Sequence, residues 1–263
     1  MSLQAGLSFE QAPPFSLPLR FFLTAPLFLL AAAILLVLSP DALSSRWTPQ
    51  ALALTHALTL GYLAMVMLGA LTQMLPVVAG SPLPAPRVVA RLGHVTLVSG
   101  TLALMTGFLR AEPFAFDLAI AALGTGFLIF LGAAAISLTR AMAGATVSGI
   151  RLAMAGLAMT VLLGLGLALL RAGWWIPPMA DRMLSAHVAF GLLGWVLLLV
   201  IGVAYQVVPM FQITPPYPPR LSRWLAAGSP ARSIAGPAVT FKPVPISWLI
   251  TWASVVLPRP GGP

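Results

Sequence analysis

Residues 51–79 read ALALTHALTLGYLAMVMLGALTQMLPVVA, and this stretch decides the class of fold. It contains no Asp, Glu, Lys or Arg, and it is longer than the ~20 apolar residues that cross a bilayer as a helix. Its one imidazole, His56, lies near the start of the stretch. We therefore predict a transmembrane helix that carries a histidine within the membrane.

Five further apolar stretches have a similar length. They are residues 21–38, 88–109, 114–138, 150–170 and 183–211. The chain of 263 residues is 59% hydrophobic and 7% charged, with a mean hydropathy of +0.99. A soluble domain has about 25% charged residues, so that class is excluded. The predicted fold is an all-α, polytopic transmembrane helix bundle of six spans.

The membrane domain is predicted over residues 20–211, between two segments of different composition. Residues 1–19 are polar and lack the hydrophobic core of a signal peptide, so they are predicted as a cytoplasmic N-terminal segment. Residues 212–263 are rich in proline, and their last apolar piece is too short to cross a bilayer. We predict a proline-rich cytoplasmic tail there, with a truncated or frame-shifted seventh span as the alternative.

The arginines predict the orientation. The side that holds the N-terminus collects Arg20, Arg87, Arg91, Arg140, Arg151, Arg220 and Arg223. The opposite side has Arg46, Arg110, Arg171 and Arg182, offset by Asp41, Glu112, Asp117 and Asp181. Basic residues in short loops stay cytoplasmic, so both termini are predicted to face the cytoplasm from a bacterial inner membrane. The arginines form no basic run, and nucleic acid is not a predicted partner.

Several kinds of chemistry are excluded or disfavoured. The chain has no cysteine, so disulfides, thiolate metal sites and thiol catalysis are excluded. Methionines in the second span have no His or Cys at ligand spacing, which argues against copper. Glu112 and Asp117 lie at the predicted membrane edge, where they do not form a carboxylate proton relay.

The second and sixth spans share a pattern of glycine, aromatic residue, glycine, glutamine and proline at identical spacings. Its members are Gly61, Tyr62, Gly69, Gln73 and Pro76, and then Gly194, Trp195, Gly202, Gln206 and Pro209. His56 and His187 precede the first glycine by five and seven residues. That difference is only about 3 Å of helical rise. On two parallel spans, the histidines are therefore predicted at similar depth near the outer face.

Two imidazoles at one depth predict a shared haem iron. Ionisable side chains inside a span are expensive and indicate function. His56 and His187 would ligate the iron from its two axial sides. Gly191 and Gly194 follow His187 at i+4 and i+7, so they are predicted to give the macrocycle a smooth face.

Each of these residues also has a structural interpretation. A single intramembrane histidine is more often an interhelical hydrogen bond, and glycines commonly serve helix packing. The matched pair within a repeat favours haem. His94, near the cytoplasmic end of the third span, has no partner histidine at its depth. A polar contact is favoured for it, with a second metal or cofactor site as the alternative.

The sixth span resembles the haem–copper oxidase subunit I superfamily, especially its nitric oxide reductase, cbb3-type and nitric oxide response branches. The residues that carry this resemblance are Ser185, His187, Gly191, Gly194, Trp195, Tyr205 and Pro209. Thr55, His56, Met67, Met74 and Pro76 are similar to the second span of those proteins. The resemblance implies that His187 and His56 are the ligands of a low-spin haem b, and that Ser185 replaces a high-spin ligand.

The chain has fewer spans than those oxidases and lacks their copper-binding histidines. The resemblance therefore implies an oxidase-like fold that forms a shortened membrane cytochrome b without terminal oxidase activity. One low-spin bis-histidine haem suits electron transfer or a redox or nitric oxide response. The redox partner is left open, and no catalytic residue is predicted.

A second class of function is a non-haem membrane assembly factor or small transporter on the same scaffold. The predicted partners are the lipid bilayer, haem and further copies of the chain in a homo-oligomer. Glycines permit the close helix approach that self-association needs. The candidate positions are Gly124, Gly126, Gly132, Gly156, Gly164 and Gly166.

Overall fold

A computed structural model describes residues 12–142, 144–215 and 217, and in these ranges the chain is helical, without a β-strand. Six helices within these ranges are long and apolar enough to span a membrane. They are α1 (Ser16–Leu38), α2 (Pro49–Val78), α3 (Pro86–Arg110), α4 (Pro113–Arg140), α5 (Ala145–Arg171) and α6 (Ala180–Gln212). The predicted all-α fold with six apolar helices of spanning length is confirmed.

The helices extend beyond the predicted apolar runs. α1 begins at Ser16, so helix replaces the last residues of the segment predicted over 1–19. Proline starts α2, α3 and α4, where its missing N–H costs no helical hydrogen bond. The rest of that N-terminal segment, residues 1–11, lies outside the described residues. So does residue 218 onward, where most of the predicted tail and the alternative seventh span fall.

Packing divides the helices between two compact units. The larger unit comprises Gly6–Arg140 and Leu165–Pro178. The other comprises Ala141–Gly164 and the chain from Met179 onward. The first unit thus holds α1 to α4, and the second holds α6 with most of α5.

In the larger unit, α1 packs on α2 by placing two phenylalanines on two glycines. The Phe28 ring occupies the space where Gly61 would carry a Cβ atom. The Cβ of Phe21 would lie 2.6 Å from a Cβ on Gly69. Both phenylalanines are buried, so the glycines are the surface that receives them.

The loop between α2 and α3 is fastened to the end of α4 by two serines. Ser81 donates its hydroxyl to the Ser137 carbonyl at 2.8 Å, and Ser137 donates its hydroxyl to the Ser81 carbonyl at 2.5 Å. Both side chains are buried. This reciprocal pair satisfies polar groups that water does not reach.

We expect Ser137→Ala to destabilise the protein by about 1–3 kcal/mol, because it leaves the buried Ser81 carbonyl without this donor. Denaturant titration of the protein in detergent measures the loss. Thr139→Ala is the matched control, since that hydroxyl is exposed and bonds only the Ile136 carbonyl of its own helix. Equal stability of the two variants would contradict the proposed importance of the serine pair.

Most glycines considered for self-association pack within one chain. A Cβ on Gly126 would collide with Thr96, and one on Gly124 would contact Leu165 at 3.6 Å. Gly156 and Gly164 face α6, as described below. Gly132 has no atom within 4 Å of the position of a Cβ. Self-association stays a prediction, and these four packed glycines serve the fold of the monomer.

Candidate functional site

α2 and α6 each contain a π-helical segment, in which hydrogen bonds connect residues five apart instead of four. The segments are Ala57–Ala64 and Phe190–Leu197. The repeated glycine is the fifth residue of each segment, Gly61 in the first and Gly194 in the second. The repeat in the sequence therefore coincides with a repeat in backbone conformation. π-helical turns are rare and occur frequently at functional sites.

The packing around the repeated glycines also recurs. In the second unit, Gly149 and Gly156 of α5 face Gly202 and Gly194 of α6. A Cβ on Gly149 would lie 2.5 Å from the Cα of Gly202. These two glycines of α6 correspond to Gly69 and Gly61 of α2, which receive Phe21 and Phe28. In both units, the helix that precedes the π-helical span packs on its two glycines.

His56 is the last residue before the first π-helical segment. Its Nδ1 lies 2.8 Å from the carbonyl oxygen of Leu52, one turn earlier in α2. A carbonyl only accepts, so Nδ1 carries the proton and the lone pair of the neutral ring is on Nε2. The ring stacks on Phe108 of α3, with centroids 5.1 Å apart and an interplanar angle of 28°. This arrangement holds the imidazole by its edge and by one face.

Two residues separate His187 from the second π-helical segment, and its Nδ1 also bonds a backbone carbonyl, here one of the neighbouring helix. Its Nδ1 is 2.9 Å from the carbonyl oxygen of Thr160 in α5. The proton is again on Nδ1, and the lone pair of the neutral ring is again on Nε2. A backbone carbonyl bonded to Nδ1 is the usual outer partner of a histidine that ligates a metal through Nε2.

Gly191 and Gly194 contact α5. A Cβ on Gly191 would lie 3.3 Å from the methyl group of Thr160, and Gly194 packs on Gly156. The face predicted to lie beside a macrocycle is thus used for helix packing. The sequence placed both glycines on the same side of α6 as His187. In the structure, the two glycines and the histidine all contact α5.

His94 forms a polar contact between helices. Its Nε2 is 2.9 Å from the hydroxyl of Thr24 in α1, and that hydroxyl donates to the Arg20 carbonyl at 2.9 Å. Because the hydroxyl has one proton, Nε2 is the donor in the first bond. His94 therefore has the opposite tautomer to the other two histidines. Its ring also meets Phe21 edge-on, with centroids 5.2 Å apart.

The structure adds neighbours that the sequence did not identify. Leu52 and Thr160 supply carbonyl partners, and Phe108 supplies a stacking surface. Backbone carbonyls carry no sequence signature, so the sequence did not predict these partners. It identified only Gly156 and Gly164, on either side of Thr160, as positions where another helix could approach closely. Among the described residues, no group of three or more His, Asp or Glu could hold a metal ion. A metal ligated by these histidines would thus be held by the imidazole nitrogens of separate residues and not by a cluster of ligating side chains.

His56 belongs to the larger unit and His187 to the other, and their joint ligation of one iron stays a prediction. No family model, curated protein or solved structure matches this chain. The resemblance to haem–copper oxidases therefore rests on the residues quoted from the second and sixth spans.

Proposed function

We propose that the chain is an integral membrane b-type cytochrome whose His56 and His187 ligate one low-spin haem through Nε2. The observation that carries the proposal is the shared setting of these two histidines. Each precedes a π-helical segment at the same repeat, and each donates Nδ1–H to a backbone carbonyl. His94 lies within an α-helix that has no π-helical segment, and its Nε2 bonds the Thr24 hydroxyl.

The donor set fits a haem iron. Neutral imidazoles with the lone pair on Nε2 are common haem ligands, and the carbonyl bond to Nδ1 increases their basicity. The glycine face beside His187 is packed against α5, so we assign only the two imidazoles to the haem. Bound in this way, a haem supplies one-electron transfer and offers no open coordination position to a gas. Electron transfer or a redox response is therefore the proposed role.

An absorption spectrum tests the proposal. The full-length protein, expressed with sufficient haem and purified in mild detergent, should contain one b-type haem per chain. Its reduced spectrum should be that of a six-coordinate, low-spin haem and should not change when carbon monoxide is added. A colourless protein, or haem without the low-spin spectrum, would refute the assignment.

The second candidate is a membrane protein without haem, such as an assembly factor or small transporter. The observation in its favour is the contact of Gly191 and Gly194 with α5, which gives both glycines a packing role. The carbonyl bonds of His56 and His187 would then be structural. The same spectrum separates the two candidates.

We further propose that both termini face the cytoplasm. Exposed tryptophans support placement of the intervening loops at a membrane interface, where this residue is enriched. Trp47 and Trp174 are 49% and 70% exposed. They lie in the loops after α1 and α5, on the side predicted to face outward.

Reporter fusions test this orientation. A fusion at Gly80, after α2, should report a cytoplasmic location, and one at Gly173, after α5, should report an external one. Both glycines lie in turns with positive φ, where the chain leaves a helix. The fusion at Gly80 serves as the internal control. A cytoplasmic signal at Gly173 would invert or break the predicted topology.

A further inference from the structure

We propose that Gly164 is a positioning residue that holds the His187 ring against α5 and thereby fixes its tautomer. The consequence for haem binding rests on the proposed function, whereas the tautomer itself does not. The residues involved, Gly164, Thr160 and His187, all belong to the second compact unit.

Gly164 leaves the space that the imidazole occupies. A Cβ at this position would lie 2.8 Å from Cε1 and 3.2 Å from Nδ1 of His187. Carbon atoms attract each other at about 3.5–4.0 Å and repel at shorter separations. Any side chain larger than hydrogen would therefore push the ring away from α5. The displaced edge is the one that bears Nδ1.

The carbonyl that receives Nδ1–H is itself held in place. Thr160 donates its hydroxyl to the Gly156 carbonyl at 2.7 Å. Its methyl group lies against Gly191, and Gly156 packs on the backbone of Gly194. The distance between α5 and α6 is thus set by glycine contacts one and two turns away from the histidine. With that distance fixed, Gly164 decides whether His187 reaches the Thr160 oxygen.

Gly164→Ala should break the bond from Nδ1 to the Thr160 carbonyl. The neutral ring would then lose the partner that selects the Nδ1–H form. The proton would redistribute toward Nε2, which is the nitrogen that the proposed function assigns to iron. The substitution thus leaves the ligand residue intact and changes which nitrogen of the neutral ring carries the lone pair.

The test is nitrogen NMR of the haem-free, full-length protein labelled with ¹⁵N-histidine, with signals assigned from single histidine substitutions. In the wild type, His56 and His187 should be Nδ1–H forms, and His94 should be the Nε2–H form. In Gly164→Ala, the His187 signals alone should move toward the Nε2–H form. Gly132→Ala is the matched control, because no atom lies within 4 Å of the added Cβ.

Two results would overturn the inference. One is an Nε2–H form of His187 in the wild type, and the other is an unchanged Nδ1–H form in Gly164→Ala. If the variant does not fold, proton contacts in the wild type decide the matter. A nuclear Overhauser effect between the Gly164 Hα and His187 Hε1 protons supports contact of the ring with Gly164, and its absence overturns the inference.

The haem measurement is separate. We expect Gly164→Ala to bind haem about 10–100-fold more weakly, the usual effect of losing an outer partner of a ligand. Gly132→Ala should bind it as the wild type does. A wild type that never binds haem refutes the proposed function and leaves the tautomer result standing. Unaltered haem affinity in Gly164→Ala refutes the consequence drawn for haem binding and leaves both the tautomer result and the proposed function standing.

Discussion

Replacing His187 by alanine is expected to abolish the low-spin haem spectrum, and replacing His56 should do the same. If His56 and His187 hold the haem as proposed, each substitution would remove one ligand of the iron, and the haem would be lost or become high-spin and open to carbon monoxide. Loss of a single ligand affects the whole population of haem, which makes this the largest spectral change predicted for the chain. Absorption spectra with and without carbon monoxide measure it.

His94→Ala is the matched control for these two substitutions. His94 is also an intramembrane histidine, but its ring bonds Thr24 through Nε2 and contacts Phe21. Its removal should leave the low-spin spectrum unchanged and cost only local packing and one hydrogen bond. Haem that remains low-spin in both His56→Ala and His187→Ala would disprove the assignment. Haem lost only in His94→Ala would also disprove it.

Gly156→Ala is expected to destabilise the second unit by about 1–3 kcal/mol, the usual cost of overpacking. The added methyl group would collide with the carbonyl of Gly194. A backbone cannot rotate out of the way as a side chain can, so the two helices must separate. Thermal unfolding in detergent, followed by circular dichroism, measures the change. Separation of α5 and α6 should also weaken the bond between His187 and the Thr160 carbonyl.

Gly93→Ala provides the contrast for Gly156→Ala. Gly93 is also a buried helical glycine, but no atom lies within 4 Å of the position of its Cβ. Alanine there should be neutral or stabilising, by up to about 1 kcal/mol, because alanine favours a helix more than glycine does. If both variants lose similar stability, the loss reflects glycine replacement in general, and the contact between Gly156 and Gly194 is not its cause.

The six helices were predictable because each is a long apolar run that ends at proline, glycine or charge. Their contacts were harder to predict. Gly149, Gly156 and Gly164 indicate that another helix approaches closely, but small residues do not specify whether that helix is from the same chain or another copy. The structure gives the answer for these three, which face α6 of the same chain.

The environment of His187 shows the same limit. Helical spacing placed Gly191 and Gly194 on the same side of the span as the histidine, and all three contact α5 in the structure. A smooth apolar face accepts a helix backbone or a flat macrocycle equally well, so the spacing did not identify what covers it. The π-helical segments were also missed, because an apolar run with 3.6-residue periodicity does not distinguish bonds to the fifth residue from bonds to the fourth.

The pairs of glycines in α2 and α6 indicate that two properties of a helical hairpin, its crossing position and its width, depend on different residues. The glycines determine where the preceding helix crosses. The residues that face them determine the distance between the two helix axes, because that distance depends on the side chains at the contact. We therefore expect Phe21 and Phe28 to hold α1 farther from α2 than Gly149 and Gly156 hold α5 from α6. Exchanging only these facing residues would bring α1 closer to α2 and move α5 away from α6. Substitutions at the facing residues would therefore change the width of a hairpin and leave its crossing point in place.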